Sequence, residues 1–172
     1  MSSQPIILAI SGVKNSGKTI LIERVLPGLK EKGIKIAVIK HDGHDFEPDV
    51  PGTDSWRYRE AGAWGCGVFS KSREMVIKEE PDIKAAALLA AFEEADLILL
   101  EGFKHSDWPK LEVIRCENSV HPVCPHETVK AYVADTAIDP CGKIIFGLND
   151  VAEITRFIWE FYLKESQKET AE

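Results

Sequence analysis

A glycine-rich segment near the start of the sequence carries the residue types that hold a phosphate chain. Its residues follow the spacing G-x-x-x-x-G-K-[ST] and are Gly12, Val13, Lys14, Asn15, Ser16, Gly17, Lys18 and Thr19. The glycines let the backbone turn tightly and present its N–H groups to phosphate oxygens. Lys18 supplies a charge for the β- and γ-phosphates, and Thr19 offers a hydroxyl to Mg²⁺. The spacing predicts a nucleotide-binding loop, in which Lys14 is either a phosphate contact or a solvated charge.

Glu101 is the candidate for an acid beside that magnesium ion. It ends the apolar run Leu97-Ile98-Leu99-Leu100, whereas Asp96 starts the run and lies at its wrong end. Because ligands bind at the carboxyl ends of parallel strands, an acid at that end lies on the side of the phosphate loop. We expect Glu101 to bind Mg²⁺ directly or through water and to orient the attacking water. The alternative is an ordinary surface acid at a strand end.

A second polar segment follows the apolar run at residues 35–40. It contains His41 and His44, with acidic residues close by. A His-x-x-His pair with acids is able to hold a divalent metal, and a hydrated loop explains the same pattern equally well. Further along, Asp54 and Ser55 are either site residues or the cap of a short helix.

A third group combines two thiols and two imidazoles, namely Cys116, His121, Cys124 and His126. Their spacing matches no regular zinc site, since such sites pair their ligands at short fixed intervals. Pro122 and Pro125 interrupt the group, which indicates a surface loop rather than a metal centre.

Hydrophobic periodicity places these groups in an alternation of strands and helices. Strands are predicted at residues 6–11, 35–40, 64–70, 74–78, 96–100, 111–116, 129–134 and 143–146. Helices are predicted at residues 18–32, with a kink or break at Pro27-Gly28, at 54–62, at 82–95, and after a cap at Asn149 or Asp150. This order predicts a three-layer α/β/α P-loop NTPase domain with a mixed, mostly parallel sheet and added antiparallel strands. Residues 1–172 are expected to form one domain, with a fraying polar tail at 164–172.

Composition excludes several classes of function. The chain has 172 residues, with 28 acidic and 21 basic side chains and a formal net charge of −7. That balance argues against a nucleic-acid binder or a protein bound to anionic membranes, because both need clustered cations. We expect neither a membrane span nor a secretory signal. The four cysteines contain no Cys-x-x-Cys, so reduced thiols and a cytoplasmic location are expected.

Together these motifs resemble the MobB family, the molybdopterin-guanine dinucleotide biosynthesis proteins B. The matching blocks run through most of the chain in the expected order. They are residues 12–19, Lys40-His41 with His44, residues 51–55 continuing to 61–63, residues 96–104, and Leu148-Asn149-Asp150. The phosphate loop alone is unspecific, whereas the histidine block and Leu100-Glu101-Gly102-Phe103-Lys104 are more specific.

The resemblance implies a homodimeric, GTP-binding accessory protein with weak, Mg²⁺-dependent GTPase activity. It would assist a MobA-type nucleotidyltransferase in converting molybdopterin to molybdopterin guanine dinucleotide, within the machinery that matures molybdoenzymes. Lys18, Thr19 and Glu101 then take the phosphate, Mg²⁺ and catalytic roles.

By the same resemblance, a nucleotide or cofactor cleft, with molybdopterin as a candidate bound substrate, is lined by His41, His44, Asp54 and Ser55. The chain lacks Asn-Lys-x-Asp, the usual guanine-reading motif, and Asn149 is the candidate substitute. Two alternatives remain open: a GTPase that inserts another metal, and a P-loop kinase of small molecules.

Overall fold

A computed structural model describes residues 4–169, which form two compact units. The first unit comprises the described residues up to His41 and from Leu88 onward, and the second is Asp42–Ala87. The strands are β1 (Ile6–Ser11), β2 (Ile36–Lys40), β3 (Gly65–Phe69), β4 (Glu74–Lys78), β5 (Leu97–Glu101), β6 (Lys110–Ile114), β7 (Val129–Ala134) and β8 (Ile144–Phe146). The helices are α1 (Lys18–Lys30), α2 (Asp54–Glu60), α3 (Ala85–Ala91) and α4 (Val151–Glu169).

A six-stranded sheet in the order β2-β5-β1-β6-β7-β8 forms the centre of the first unit. Each neighbouring pair in this sheet is parallel, so all of its strands end at one edge. At that edge Glu101 of β5 pairs in register with Ile10 of β1 and Lys40 of β2. The phosphate loop therefore leaves β1 beside the strand that ends in Glu101.

Apolar side chains cover both faces of this sheet, which gives the expected three layers. On one face, α1 and α4 pack on the strands through the buried residues Leu21, Val25, Leu29, Ile154 and Ile158. On the other face, Ala9, Ile39 and Leu100 pack with Leu89 of α3 and Trp108. These contacts explain why β1 and β5 read as continuous apolar runs: strands buried on both faces have no polar side to alternate with.

The antiparallel strands β3 and β4 form a separate two-stranded sheet within the second unit. β3 and β4 pair antiparallel from Gly65 opposite Lys78 to Phe69 opposite Glu74. The α/β P-loop fold class is thus confirmed, with the antiparallel strands placed in a separate two-stranded sheet. The expectation that the chain forms a single domain stays a prediction.

Three helices differ from the sequence expectations. α1 shows no break at Pro27, and the amide of Glu31 donates to the Pro27 carbonyl oxygen at 3.0 Å, whereas the alternative of a kink stays a prediction. α3 is seven residues long rather than the predicted 82–95, because residues 92–95 form turns before β5. α4 reaches Glu169, so the tail is helical up to that point, and residues 170–172 lie outside the described part of the chain. Fraying of the tail stays a prediction. Between residues 4 and 169, no helix is both long and apolar enough to cross a membrane.

Candidate functional site

The phosphate loop connects β1 to the N-terminus of α1 and has an unusual backbone conformation. Gly12, Asn15 and Gly17 all have positive φ angles, of +138°, +62° and +96°. Gly17 is the N-cap of α1, and no side chain caps the helix. The first amides of α1 are thus able to receive an anion, and the positive end of the helix dipole favours one.

Lys18 extends back over this loop from the first turn of α1. Its Nζ donates a hydrogen bond to the carbonyl oxygen of Val13, at 2.6 Å. Burial lowers the pKa of the Lys18 ammonium, Glu101 opposes that shift, and the nearby charges of Lys104 and Lys40 add to it. A partly buried ammonium among other cations would be stabilised by a bound anion, so the local charge at this edge favours an anion although the whole chain is acidic.

Thr19 and Glu101 meet beside the lysine. The Thr19 hydroxyl donates to Glu101 Oε1 at 2.8 Å, which joins positions 82 residues apart in sequence. Glu101 is 7 % exposed, so its carboxylate is held at the base of the site and not on the surface. A hydroxyl and a carboxylate are oxygen ligands of the kind that Mg²⁺ prefers. The donor chemistry of this pair fits a magnesium ion.

His41 lies at the same edge, one residue beyond β2. Its backbone N–H donates to the carbonyl oxygen of Glu101 at 3.1 Å, and its exposed ring lies 5.4 Å from that of Phe103. The structure thus brings His41 next to Glu101, at the sheet edge expected for parallel strands.

The other three residues of that block belong to the second unit and are described there alone. His44 is exposed, and its N–H faces Asp42 Oδ1 at 3.4 Å. Asp54 begins α2 and is exposed, whereas Ser55 is 8 % exposed, with its Oγ 3.4 Å from Thr53 Oγ. Thr53 is the N-cap of α2, so the expected short helix is present and its cap is the threonine.

Asn149 lies in the first unit, before α4. Its Oδ1 accepts a hydrogen bond from Arg24 of α1 at 3.1 Å, and the same guanidinium donates to the carbonyl oxygen of Leu148. A hydrogen bond therefore links the Asn149 side chain to α1, the helix that follows the phosphate loop. Its role as a guanine contact stays a prediction.

The cysteine and histidine group shows no metal centre. Cys124 is buried, Cys116 is exposed, and all four cysteines of the chain are free thiols. Within residues 4–169, no group of three or more metal-binding side chains converges. Burial, reinforced by the nearby carboxylate of Glu112, raises the pKa of the Cys124 thiol to about 12, so the thiol stays protonated.

Two fully buried charges on β6 were missed by the sequence analysis. Lys110 Nζ donates to the carbonyl oxygens of Phe103 and Lys104 at 3.3 and 3.4 Å, and also to that of Ser106. It thereby fixes the loop that follows Glu101. The signal was present in Lys110-Leu111-Glu112-Val113-Ile114, where two charges two residues apart lie on one face of an otherwise apolar strand.

Glu112 is the second of these charges and anchors the segment between β6 and β7. Its Oε1 accepts the amides of Val123 and Cys124, whereas Oε2 is buried without a partner among the described groups. Burial raises the pKa of this carboxyl, although the two amides oppose the shift.

The pH dependence of stability follows from that raised pKa. The folded protein holds the proton more tightly, so the stability contributed by Glu112 is complete below its ordinary pKa of 4.5 and is lost as the pH rises through the folded pKa. We expect Glu112→Gln, which does not titrate, to gain stability relative to the unmodified chain as the pH is raised through the range that begins at the ordinary pKa of 4.5. Urea unfolding across that range measures the difference. Replacement of the exposed Glu117, as Glu117→Gln, is the control. The prediction is contradicted if the difference in unfolding free energy between Glu112→Gln and the unmodified chain does not change with pH.

Comparison with known proteins agrees with this geometry. The family model described as MobB, molybdopterin guanine dinucleotide synthesis protein B, matches residues 7–135. A molybdopterin-guanine dinucleotide biosynthesis adapter protein of Haemophilus influenzae is 32 % identical over 164 residues, covering 92 % of this chain and 90 % of that protein. A urease accessory protein UreG 2 of Bradyrhizobium is 35 % identical over 103 residues, covering 55 % of this chain and 45 % of its own length.

The fold has solved counterparts as well. The crystal structure of Bacillus subtilis MobB superposes with a TM-score of 0.73 at 28 % identity, covering 90 % of this chain and 96 % of that one. The match of the family model spans the phosphate loop, the strand that ends in Glu101, and β6 and β7. The chain therefore belongs to the MobB family.

Proposed function

We propose that this chain binds GTP with Mg²⁺ at the phosphate loop, hydrolyses it slowly, and serves as an accessory protein when molybdopterin is converted to molybdopterin guanine dinucleotide. The observation that carries the nucleotide part is the Thr19–Glu101 hydrogen bond of 2.8 Å beside Lys18. The biosynthetic part is supported by family membership, and by a relative named as an adapter protein of that synthesis.

Each group at the edge has a distinct role in this mechanism. The loop amides and the Lys18 ammonium bind the β- and γ-phosphates and offset the charge that develops during transfer. Thr19 and Glu101 would hold the metal, and Glu101 would orient the attacking water. Mg²⁺, when bound, would neutralise phosphate charge.

Arg59, which is close in sequence to Asp54 and Ser55, is already engaged within the second unit. Arg59 is only 8 % exposed, and its guanidinium is held by Glu47 at 2.8 Å and Glu79 at 3.0 Å within the second unit. A guanidinium that already pairs with two carboxylates is poorly suited to stabilise the charge that develops on the phosphates during phosphoryl transfer. We therefore infer that a partner supplies any strong activation.

The partners follow from the same proposal. The chain acts in the cytoplasm with a MobA-type nucleotidyltransferase, whose product goes on to molybdoenzyme maturation. Molybdopterin is a candidate bound substrate. A homodimer is supported by exposed apolar side chains on the β3–β4 hairpin, with Val68, Phe69 and Val76 at 48, 86 and 65 % exposure. Surfaces of this kind are typical of protein interfaces.

Calorimetric titration tests the proposal directly. GTP and ATP are titrated separately, each with and without Mg²⁺. We expect GTP to bind more tightly than ATP, and Mg²⁺ to strengthen the binding of GTP. Tighter binding of ATP than of GTP would contradict the specificity for GTP, which rests on the family. It would not contradict the assignment of the loop as a nucleotide-binding site.

Glu101→Gln separates metal binding from phosphate binding. The amide keeps the size of the side chain and still accepts the Thr19 hydroxyl, but it loses the negative charge that Mg²⁺ requires. We expect the Mg²⁺-dependent gain in GTP affinity to fall by about ten-fold, or about 1.4 kcal/mol, with binding in the absence of metal unchanged or stronger. The exposed acid Glu117 provides the control as Glu117→Gln. An unchanged Mg²⁺ dependence in Glu101→Gln would remove Glu101 from the metal site.

Insertion of another metal is the second candidate function, favoured by the similarity to the urease accessory protein. It predicts that the purified chain binds a transition metal tightly. Elemental analysis of the wild-type chain, and of variants in which Cys116, Cys124, His41 and His44 are replaced in turn, distinguishes the two functions.

A further inference from the structure

Asn15 is the one residue of the phosphate loop, apart from its glycines, whose backbone has a left-handed conformation. Its φ angle is +62°, a region that residues other than glycine rarely occupy. Its carbonyl oxygen accepts a hydrogen bond from Nδ2 of Asn118 at 3.0 Å, across 103 residues of sequence. A distant side chain thus holds the loop at the residue whose conformation is least favourable by itself.

Asn118 belongs to the segment between β6 and β7. Hydrogen bonds on either side of Asn118 hold this segment in place. Before it, the amide of Cys116 donates to Asp135 Oδ1 at 2.7 Å. After it, the amide of Cys124 donates to the buried carboxyl of Glu112 at 3.2 Å. Asn118 closes a turn at Arg115, because its own amide donates to the Arg115 carbonyl at 2.9 Å. The carboxamide is therefore presented to the phosphate loop from a fixed support.

The peptide group links this contact to the anion site. A peptide is planar and trans, so fixing the carbonyl of Asn15 also fixes the direction of the N–H of Ser16. That N–H also donates to the Val13 carbonyl oxygen at 3.4 Å, and the amides that follow it lead through Gly17 into α1. We propose that Asn118 is a positioning residue that holds the phosphate loop in its anion-binding conformation, an inference that rests on nucleotide binding at this loop.

A rival interpretation is available, because Asn118 is exposed and carboxamides also contact nucleotide bases. The observed bond favours positioning, since Nδ2 already donates to a loop carbonyl. The two roles differ in one measurable way. A positioning residue affects every polyphosphate equally, whereas a base contact affects only nucleotides.

The experiment compares Mg²⁺–GTP with Mg²⁺–tripolyphosphate, which has no base, by calorimetric titration. We expect Asn118→Ala to weaken the binding of both by the same factor, about five-fold, as for the loss of one uncharged hydrogen bond. Ser119→Ala is the matched control, because the Ser119 hydroxyl bonds to His121 within the same segment. A loss for GTP alone would overturn the proposal in favour of base contact, and no loss for either ligand would overturn it outright.

Hydrogen exchange without any ligand gives an independent readout. We expect the amides of residues 14–18 to exchange about five-fold faster in Asn118→Ala, with the free energy of global unfolding unchanged within error. Asn118→Asp keeps the size of the side chain but removes the donor, so its exchange rises at least as much. Unchanged exchange in both variants would overturn the proposal. If the wild-type chain binds neither ligand, the proposed function fails, and the exchange result still decides the role of Asn118.

Discussion

Replacing Lys18 with alanine is expected to weaken Mg²⁺–GTP binding by at least about 100-fold, which corresponds to about 3 kcal/mol. The ammonium stands over the loop, 2.6 Å from the Val13 carbonyl, and its pKa is lowered by burial and by neighbouring lysines. A bound phosphate would replace that carbonyl with a charged acceptor, and hydrogen bonds to charged groups contribute about 1.5–3 kcal/mol. Losing the charge and its bonds together accounts for the expected effect.

A matched control separates this local effect from the overall charge. Lys30 ends the same helix and is exposed, so Lys30→Ala makes the chain equally more acidic at a distance from the loop. We expect Lys30→Ala to bind Mg²⁺–GTP within about two-fold of the wild-type chain, because exposed charges far from a site are screened. Circular dichroism and thermal unfolding check that both variants fold. Binding by Lys18→Ala within a few-fold of wild type would contradict the phosphate-loop assignment.

Much of this site was predictable because its parts are local in sequence. The loop from Gly12 to Thr19 is contiguous, and its spacing alone carries the chemistry. Glu101 was predictable for a similar reason, since it ends an apolar run and parallel strands share a carboxyl edge. The Thr19–Glu101 hydrogen bond then followed from the topology, because β5 lies next to β1.

The parts that could not be predicted depend on contacts between distant residues. Asn118 contacts the phosphate loop through one hydrogen-bonding group whose partner is set by the fold, and no periodic pattern marks such a residue. Glu112 is marked in the sequence as a charge in an apolar strand, but its partners, the amides of Val123 and Cys124, are not. The length of α4 has a comparable cause. Beyond Trp159, its side chains Phe161 and Tyr162 pack against the core, so the helix is still anchored immediately before a segment whose composition is polar.

Gly12→Ala is expected to destabilise the fold as well as the site. A Cβ on Gly12 would lie closer than 3.0 Å to the carbonyl oxygen of Val113 and 2.9 Å from Ser16 Oγ, and the φ angle of +138° is one that alanine rarely adopts. The Val113 carbonyl belongs to the neighbouring strand β6, so it cannot move without disturbing the sheet. We expect a loss of about 2–4 kcal/mol in the free energy of unfolding, measured with urea, and loss of measurable Mg²⁺–GTP binding.

Gly17→Ala distinguishes the two causes of that loss. Gly17 also has a positive φ, of +96°, but a Cβ there would have no atom within 4 Å. Its replacement therefore adds backbone strain without a clash, and should lower the free energy of unfolding by about 1 kcal/mol. The amount by which Gly12→Ala loses more unfolding free energy than Gly17→Ala measures the cost of the close approach between the loop and β6. Equal losses in the two variants would show that φ alone requires glycine at position 12, and that the contact with Val113 relaxes without resistance.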